Sequence, residues 1–293
     1  MSYLSMGYGI RMDVEHTREF HFTEQDFQCI RKLIHEHAGI SLGESKRELV
    51  YSRLVRRLRA TGAKTFAEYL NRLQHGDKAE WEAFTNSLTT NMTSFFREAH
   101  HFPLLADHLR KLGTAQQIVL WCSACSTGEE AYSIAMTAVD TFGGFDIPVR
   151  IVASDLDTEV LKAACDGRYK LESVAGMPAQ QLDKFFLHGK GEEVGYVRVR
   201  PELQRLISFR RINLLDAGWP IHGPLDVIFC RNVMIYFGKD TQLAILKKFA
   251  PLLRKDGLLF AGHSENFHHA GAWFRLREHT VYELANKSGA EYA

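Results

Sequence analysis

The run Ile118-Val119-Leu120-Trp121-Cys122-Ser123-Ala124-Cys125-Ser126-Thr127-Gly128-Glu129-Glu130 decides the reading of the fold. Five consecutive apolar residues without polar alternation describe a strand buried on both faces. Small residues then turn the chain at Ser126-Thr127-Gly128, and a helix is expected from Glu129 to about Thr141. The same unit recurs downstream. Val149 to Ala153 reads as a strand ending at Ser154-Asp155, followed by a helix from Thr158 to Cys165. Ile207 to Ile212 and Leu225 to Cys230 are strands, Lys239 to Leu253 a helix, and Gly257 to Ala261 another strand. Alternating strands and helices imply a mainly parallel sheet covered on both faces, a Rossmann-like α/β domain over 117–293. Phe274 to Leu276 and Val281 to Leu284 read as an edge hairpin. One stretch breaks the rhythm. Its glycines and the alternation Tyr196-Val197-Arg198-Val199-Arg200 suggest a small antiparallel insert over about 167–205.

Upstream of this domain no strand pattern occurs, and residues 1–90 read as an all-helical domain. Thr23 and Asp26 mark a helix start, Phe27, Ile30 and Ile34 share a face, and Gly39 is a stop. A second helix is expected from Glu44 to Ala60, and two short ones follow around Phe66–Leu73 and Trp81–Leu88. Residues 91–116 form a linker and first helix between the domains. The first twenty residues look poorly specified and are expected to be flexible.

Composition narrows the function classes. The 293 residues are 45% hydrophobic and 24% charged, with a formal net charge of +1, which argues against a polyanion binder working by overall charge. No apolar run is long enough to span a membrane, and the N-terminus lacks the apolar core of a secretion signal. Five scattered cysteines read as reduced thiols in a cytoplasmic protein. Cys122 and Cys125 form a C-x-x-C without the second pair a zinc site would want, so they read as small residues of a strand-to-helix turn.

In an open α/β sheet, ligands bind outside the carboxyl ends of the strands. Three of those ends carry marked residues: the Ser126–Glu130 turn, Asp155 with Asp157, and Arg231-Asn232. An acidic residue closing the second strand can accept hydrogen bonds from both ribose hydroxyls. The first turn has one glycine instead of the full dinucleotide pattern, and two glutamates stand where a pyrophosphate would sit. That favours a nucleoside ligand bearing positive charge, such as S-adenosylmethionine, over NAD. Taken singly, Asp155 serves equally well as a helix cap, and Glu129 and Glu130 as favourable first-turn residues.

Several segments together resemble the bacterial chemotaxis receptor methyltransferases, the CheR family. They are Asn91-Met92-Thr93-Ser94-Phe95-Phe96-Arg97 with Glu98 to Pro103, Ser126 to Ser133, Ala153 to Asp157, Cys230 to Phe237 and Gly262 to Asn266. The match runs in order from about Thr23 to Leu284, with Ala131 standing where the family commonly has proline. The resemblance implies S-adenosylmethionine-dependent methylation of chemoreceptor glutamates to methyl esters. It further implies that Asn91, Thr93 and Arg97 meet the cofactor from the linker, Glu130 its amino acid end and Asp155 its ribose. Asn213 and Leu214 would hold the adenine, Arg231 and Asn232 the methyl-donor end, and Tyr236 would stand near the acceptor. Arg97 and Tyr236 are the expected catalytic pair, one orienting a carboxylate and the other positioning by hydrogen bond, in either assignment.

Lys46, Arg53, Arg56 and Arg57 share one arc of the second helix, with Arg59 nearby and an apolar arc opposite. A solvated face and a nucleic-acid contact both fit that pattern. The resemblance implies docking on the acidic helical bundle of a receptor instead. In the insert, Arg198 and Arg200 face away from Val197 and Val199, and an exposed edge there could take a receptor C-terminal peptide by strand addition. The paired histidines His100-His101 and His268-His269 are not expected to bind metal, because neighbours on a helix point apart. A monomer is expected. The rival readings are a nucleic-acid methyltransferase, disfavoured because Arg231-Asn232-Val233 lacks a Pro-Pro-aromatic run, and a receptor-binding S-adenosylmethionine sensor without turnover.

Overall fold

The computed structural model describes residues 18–76 and 78–285. Of the twenty residues expected to be flexible, 1–17 lie outside that range, whereas Arg18 and Glu19 pair with Glu48 and Arg59. Helices α1 (Glu24–Ala38), α2 (Arg47–Thr61), α3 (Phe66–Gln74) and α4 (Lys78–Leu88) form the N-terminal domain. Thr23 and Asp26 make a reciprocal cap on α1, each side chain accepting the other's backbone N–H at 3.0 and 2.9 Å. The residues before α2 form a tighter 3-10 turn, Glu44–Lys46, so the α-helix begins later than its composition suggests. Phe27, Ile34, Leu54, Phe66 and Phe84 meet in one apolar core.

That packing reshapes the expected basic face. Arg57 donates from Nε and Nη2 to Glu80 at 3.0 and 2.6 Å, and the Tyr69 hydroxyl donates to the same buried carboxylate at 2.7 Å. Arg53 donates to the Thr89 carbonyl at 2.6 Å, closing the end of α4. Arg57 and Arg53 are therefore joints between α2 and α4, whereas Lys46 and Arg56 are exposed. A helical wheel shows polarity but not which neighbour will supply a counter-charge.

Helix α5 (His101–Leu112) leads into β1 (Ile118–Cys122), α6 (Glu129–Phe142), β2 (Val149–Asp155) and α7 (Thr158–Asp166). The insert follows as β3 (Arg168–Lys170), α8 (Ala179–Phe185), β4 (Phe186–His188), β5 (Tyr196–Val199) and the short α9 (Pro201–Gln204). The chain then returns as β6 (Ile207–Arg211), β7 (Leu225–Cys230), α10 (Lys239–Phe249), β8 (Leu253–Ala261), β9 (Phe274–Glu278) and β10 (Val281–Leu284). The large sheet has the order β6-β2-β1-β7-β8-β10-β9, parallel except for the final hairpin. Successive β1 residues serve opposite faces: Leu120 and Cys122 join the core beneath α5 and α6, and Trp121 the core beneath α10. The strand order reverses between β1 and β7, which opens a crevice at their carboxyl ends.

The insert is a three-stranded sheet of order β3-β5-β4. Its alternating strand β5 is thus the central one, hydrogen-bonded on both sides, and not a free edge. Arg198 faces Asp166 at 3.2 Å and Arg200 donates to the Asp183 carbonyl at 3.1 Å. Partner order is fixed by chain segments far apart in sequence, which local alternation does not report. The available edges belong to β3 and β4.

His101, fully buried at the start of α5, donates from Nε2 to the carbonyl of His279 at 2.9 Å. Burial lowers its pKa to about 4. The unfolded chain, with an ordinary histidine near 6.5, therefore takes up a proton that the native state refuses. Stability is full above about pH 6.5 and falls as the pH drops toward 4, by on the order of 2 kcal/mol at pH 5. Urea denaturation at pH 7 and pH 5 should show this loss, and His101→Gln should flatten it. An unchanged pH slope in that variant would remove His101 as the cause.

Candidate active site

The crevice opens into a cavity of about 250 Å³ walled by both domains. From the helical domain come Ala38, Leu42 and Lys46, from the linker Thr89 to Thr93 and Arg97, and from the α/β domain the strand ends. Of the expected cofactor residues, Asn91, Thr93, Arg97, Glu130, Asp155, Asn213, Leu214 and Asn232 all line it, as does Tyr236. Arg231 does not. Its side chain is 1% exposed and lies behind the wall, donating to Glu130 at 2.7 Å and to the Arg97 carbonyl at 2.6 Å. Arg231 thus reaches the cavity only through the groups it holds.

The β1–α6 turn is shaped by close contact. Ser126 and Gly128 both take positive φ, and a Cβ on Gly128 would come within 2.9 Å of the Ala164 side chain and the Tyr169 hydroxyl. Asp155 draws this turn toward β2: its carboxylate accepts the Ser126 N–H at 2.8 Å and the Asp157 N–H at 3.0 Å. Burial raises the Asp155 pKa, and these backbone donors offset it only in part. Burial also raises Glu130, with the Arg231 guanidinium opposing. Two desolvated carboxyl groups on one cavity suit a ligand that brings hydroxyl donors and positive charge.

The linker is held by Asp157, whose role the sequence did not reveal. Its Oδ1 caps α7 by accepting the Glu159 N–H at 2.9 Å, while Oδ2 accepts from Thr89 Oγ1 at 2.6 Å and Asn91 Nδ2 at 2.8 Å. Two further bonds stitch the domains beside the cavity. Asn213 Nδ2 donates to the His37 carbonyl at 2.8 Å, and the Ser41 N–H to the Tyr236 carbonyl at 3.0 Å.

Glu265 and Glu98 were also missed as supports. The buried Glu265 carboxylate accepts four backbone N–H groups: Gly262 at 2.5 Å, Asn232 and Val233 at 3.0 Å, and Met234 at 2.8 Å. It thereby fixes Asn232 at φ 58 and the turn that presents Tyr236. Glu98, also left-handed at φ 54, accepts from Asn232 Nδ2 at 3.2 Å and His263 Nδ1 at 2.9 Å, and faces Arg231 at 3.3 Å. Burial opposes its charge, yet His263 and Arg231 outweigh burial and hold its pKa down to about 2. The only sequence signal for either glutamate is its place within a family-like segment. Among the described residues, no histidine or cysteine lines the cavity, so it offers no general base of that kind.

Comparison with known families bears directly on this site. Residues 25–89 match the family "CheR methyltransferase, all-alpha domain", and residues 91–283 match "CheR methyltransferase, SAM binding domain". The chain belongs to the CheR methyltransferase family. It is 54% identical over 269 residues to "Chemotaxis protein methyltransferase 2" of Pseudomonas aeruginosa, covering 92% of this chain and 96% of that one. It is 51% identical over 270 residues to "Chemotaxis protein methyltransferase" of Escherichia coli, covering 92% and 94%. The corresponding Salmonella typhimurium protein is 50% identical over 270 residues, with 92% and 93% covered. As a CheR methyltransferase the protein uses S-adenosylmethionine, and the cavity's chemistry fits that cofactor: desolvated carboxyl groups face the space, and among the described residues no cationic side chain pairs with Asp155. No helix among the described residues is long and apolar enough to cross a membrane.

Proposed function

We propose that this enzyme methylates glutamate side chains of chemoreceptors, yielding glutamate 5-O-methyl esters and S-adenosylhomocysteine. The observation that carries this reading is a cavity with Arg97 and Tyr236 on its wall and, among the described residues, no histidine or cysteine base. A glutamate with a pKa near 4.3 is already ionised at neutral pH and needs none. The bound cofactor supplies an electrophilic methyl group on a sulfonium. Transfer of that group to a carboxylate would cancel opposite charges and would move no proton. What remains for the protein is alignment and exclusion of water.

In this reading Asp155 accepts from the ribose hydroxyls, Asn213 and Leu214 flank the adenine, and Glu130 meets the cofactor's ammonium. Asn91 and Thr93 close over it from the linker, and Asn232 faces the methyl-donor end. Arg231 acts from behind by keeping Glu130 placed. Arg97, held toward the cavity by its bond to the Met92 carbonyl at 2.8 Å, orients a carboxylate. Tyr236 positions the acceptor oxygen. Lys46 and Arg56 provide the exposed charge for docking on an acidic receptor helix bundle, and a receptor C-terminal peptide would add at the edge of β3 or β4.

The test is methyl-labelled S-adenosylmethionine with chemoreceptor-bearing membranes. Label on the receptor band released as methanol by mild alkali supports the proposal, because carboxyl esters are labile and N-methyl groups are not. Alkali-stable label on nucleic acid would refute it, as would cofactor binding without transfer to any receptor offered. Tyr236→Phe removes one hydrogen-bond donor and should lower kcat about 10-fold with little change in cofactor affinity. An unaltered kcat would take Tyr236 out of the reaction.

A further inference from the structure

Among the described residues, one group of ligating side chains lies outside the cavity lining. Neighbouring histidines diverge along a helix, yet the rings of His100, the cap of α5 with a helical backbone, and His101 lie with their centroids 4.2 Å apart. With Glu98 in the left-handed region the chain folds back on itself. Glu98, His100 and His101 then bring one ligand atom each to within 4.8 Å of one another.

The buried member carries the argument. A carbonyl oxygen only accepts, so the bond from His101 Nε2 to His279 fixes the proton on Nε2 and leaves Nδ1 a bare lone pair. His101 is 0% exposed, and its Nδ1 has no hydrogen-bond partner. Buried polar atoms are nearly always satisfied, so an orphan of this kind calls for an explanation. A ring nitrogen directed to a backbone carbonyl, with the other nitrogen free, is the arrangement that supports histidine ligation. Glu98 Oε2 stands 3.8 Å from that nitrogen. A tetrahedral ion with bonds of about 2.0–2.1 Å spaces its ligand atoms by roughly 3.3 Å, which a small side-chain rotation reaches.

We propose that Glu98, His100 and His101 bind a borderline transition-metal dication of the Zn²⁺ class, with water completing the tetrahedron on the exposed His100 side. Two imidazoles and one carboxylate match the ligand preference of that ion. The same Glu98 oxygen accepts the His263 N–H at 3.1 Å and faces the Arg231 guanidinium at 3.3 Å, so the ion competes with both for it. Metal occupancy therefore loosens the support of Asn232 and Glu130, and the site antagonises the cavity it adjoins.

The test uses tag-free, metal-stripped full-length protein and Zn²⁺ in competition with a chromophoric chelator. One tightly held equivalent with micromolar affinity is expected. His100→Ala, an exposed position where folding is not at stake, should weaken it at least about 10-fold. His101→Gln, which retains a donor for His279, should do the same. Replacing the exposed pair His268 and His269 with alanine should leave affinity unchanged. Equal affinity in His100→Ala and the parent overturns the proposal, as does a parent that takes up no stoichiometric Zn²⁺ at 100 µM, a level roughly tenfold or more above the expected micromolar affinity.

Discussion

Asp155→Ala is expected to weaken S-adenosylmethionine binding about 100-fold or more. The carboxylate already serves two backbone donors, Ser126 and Asp157, which fix its plane at the mouth of the β1–α6 turn. Its remaining acceptor capacity is what two ribose hydroxyls would use. Hydrogen bonds to a charged acceptor are worth about 1.5–3 kcal/mol each, so losing both removes roughly 3 kcal/mol or more. The alanine also frees the Ser126 N–H and slackens the turn, which adds to the deficit. Asp155→Asn keeps the shape and one acceptor oxygen, and should fall between the two. Isothermal titration with S-adenosylhomocysteine measures all three proteins. A Kd for Asp155→Ala within threefold of the parent would show that the ribose lies elsewhere.

Glu265→Ala should be the most damaging single change to the fold around the site. One carboxylate satisfies four N–H groups from two loops, Gly262 and Asn232–Met234, in a buried place where water cannot substitute. At about 1 kcal/mol or more for each donor left unpaired, the cost is roughly 3–5 kcal/mol. In a domain of this size that lowers Tm by roughly 10 °C. Methyl transfer should fall further than stability alone requires, because the freed turn no longer presents Tyr236. Glu265→Gln keeps an oxygen but turns an amide N–H₂ toward backbone donors, so it should recover only part of the loss. Calorimetry decides the matter: a Tm shift below about 2 °C for the alanine variant would mean the loops hold themselves.

These two glutamate and aspartate cases show where sequence reading succeeds and stops. Asp155 was legible because a strand end announces itself by apolar pattern, and the chemistry of a strand end in an α/β sheet is constrained. Glu265 was not, since its four partners come from a loop more than thirty residues upstream and from its own turn, a convergence no spacing reports. The same limit accounts for Arg57, whose counter-charge Glu80 lies on another helix, and for β5, whose central position depends on strands before it in the chain. Arg231 stands at a strand end like Asp155, yet its side chain lies behind the wall, because a residue at a strand end can face either the cavity or the layer beneath it. The first two helices of the first domain were legible from a cap and glycine stops and the next two from apolar spacing, all of them local signals.

The cavity's seams bear on how this protein can change over generations. Asn213 to His37, Ser41 to Tyr236, and Asp157 to Thr89 and Asn91 mean that each domain carries part of the other's hydrogen bonding. The helical domain is therefore not an interchangeable attachment. A lineage that acquired a new first domain by recombination would inherit mismatched seams along with it, and would lose cofactor affinity before any new target could be selected. Substitutions at residues that face away from the seams, such as the exposed Arg56, disturb none of these bonds.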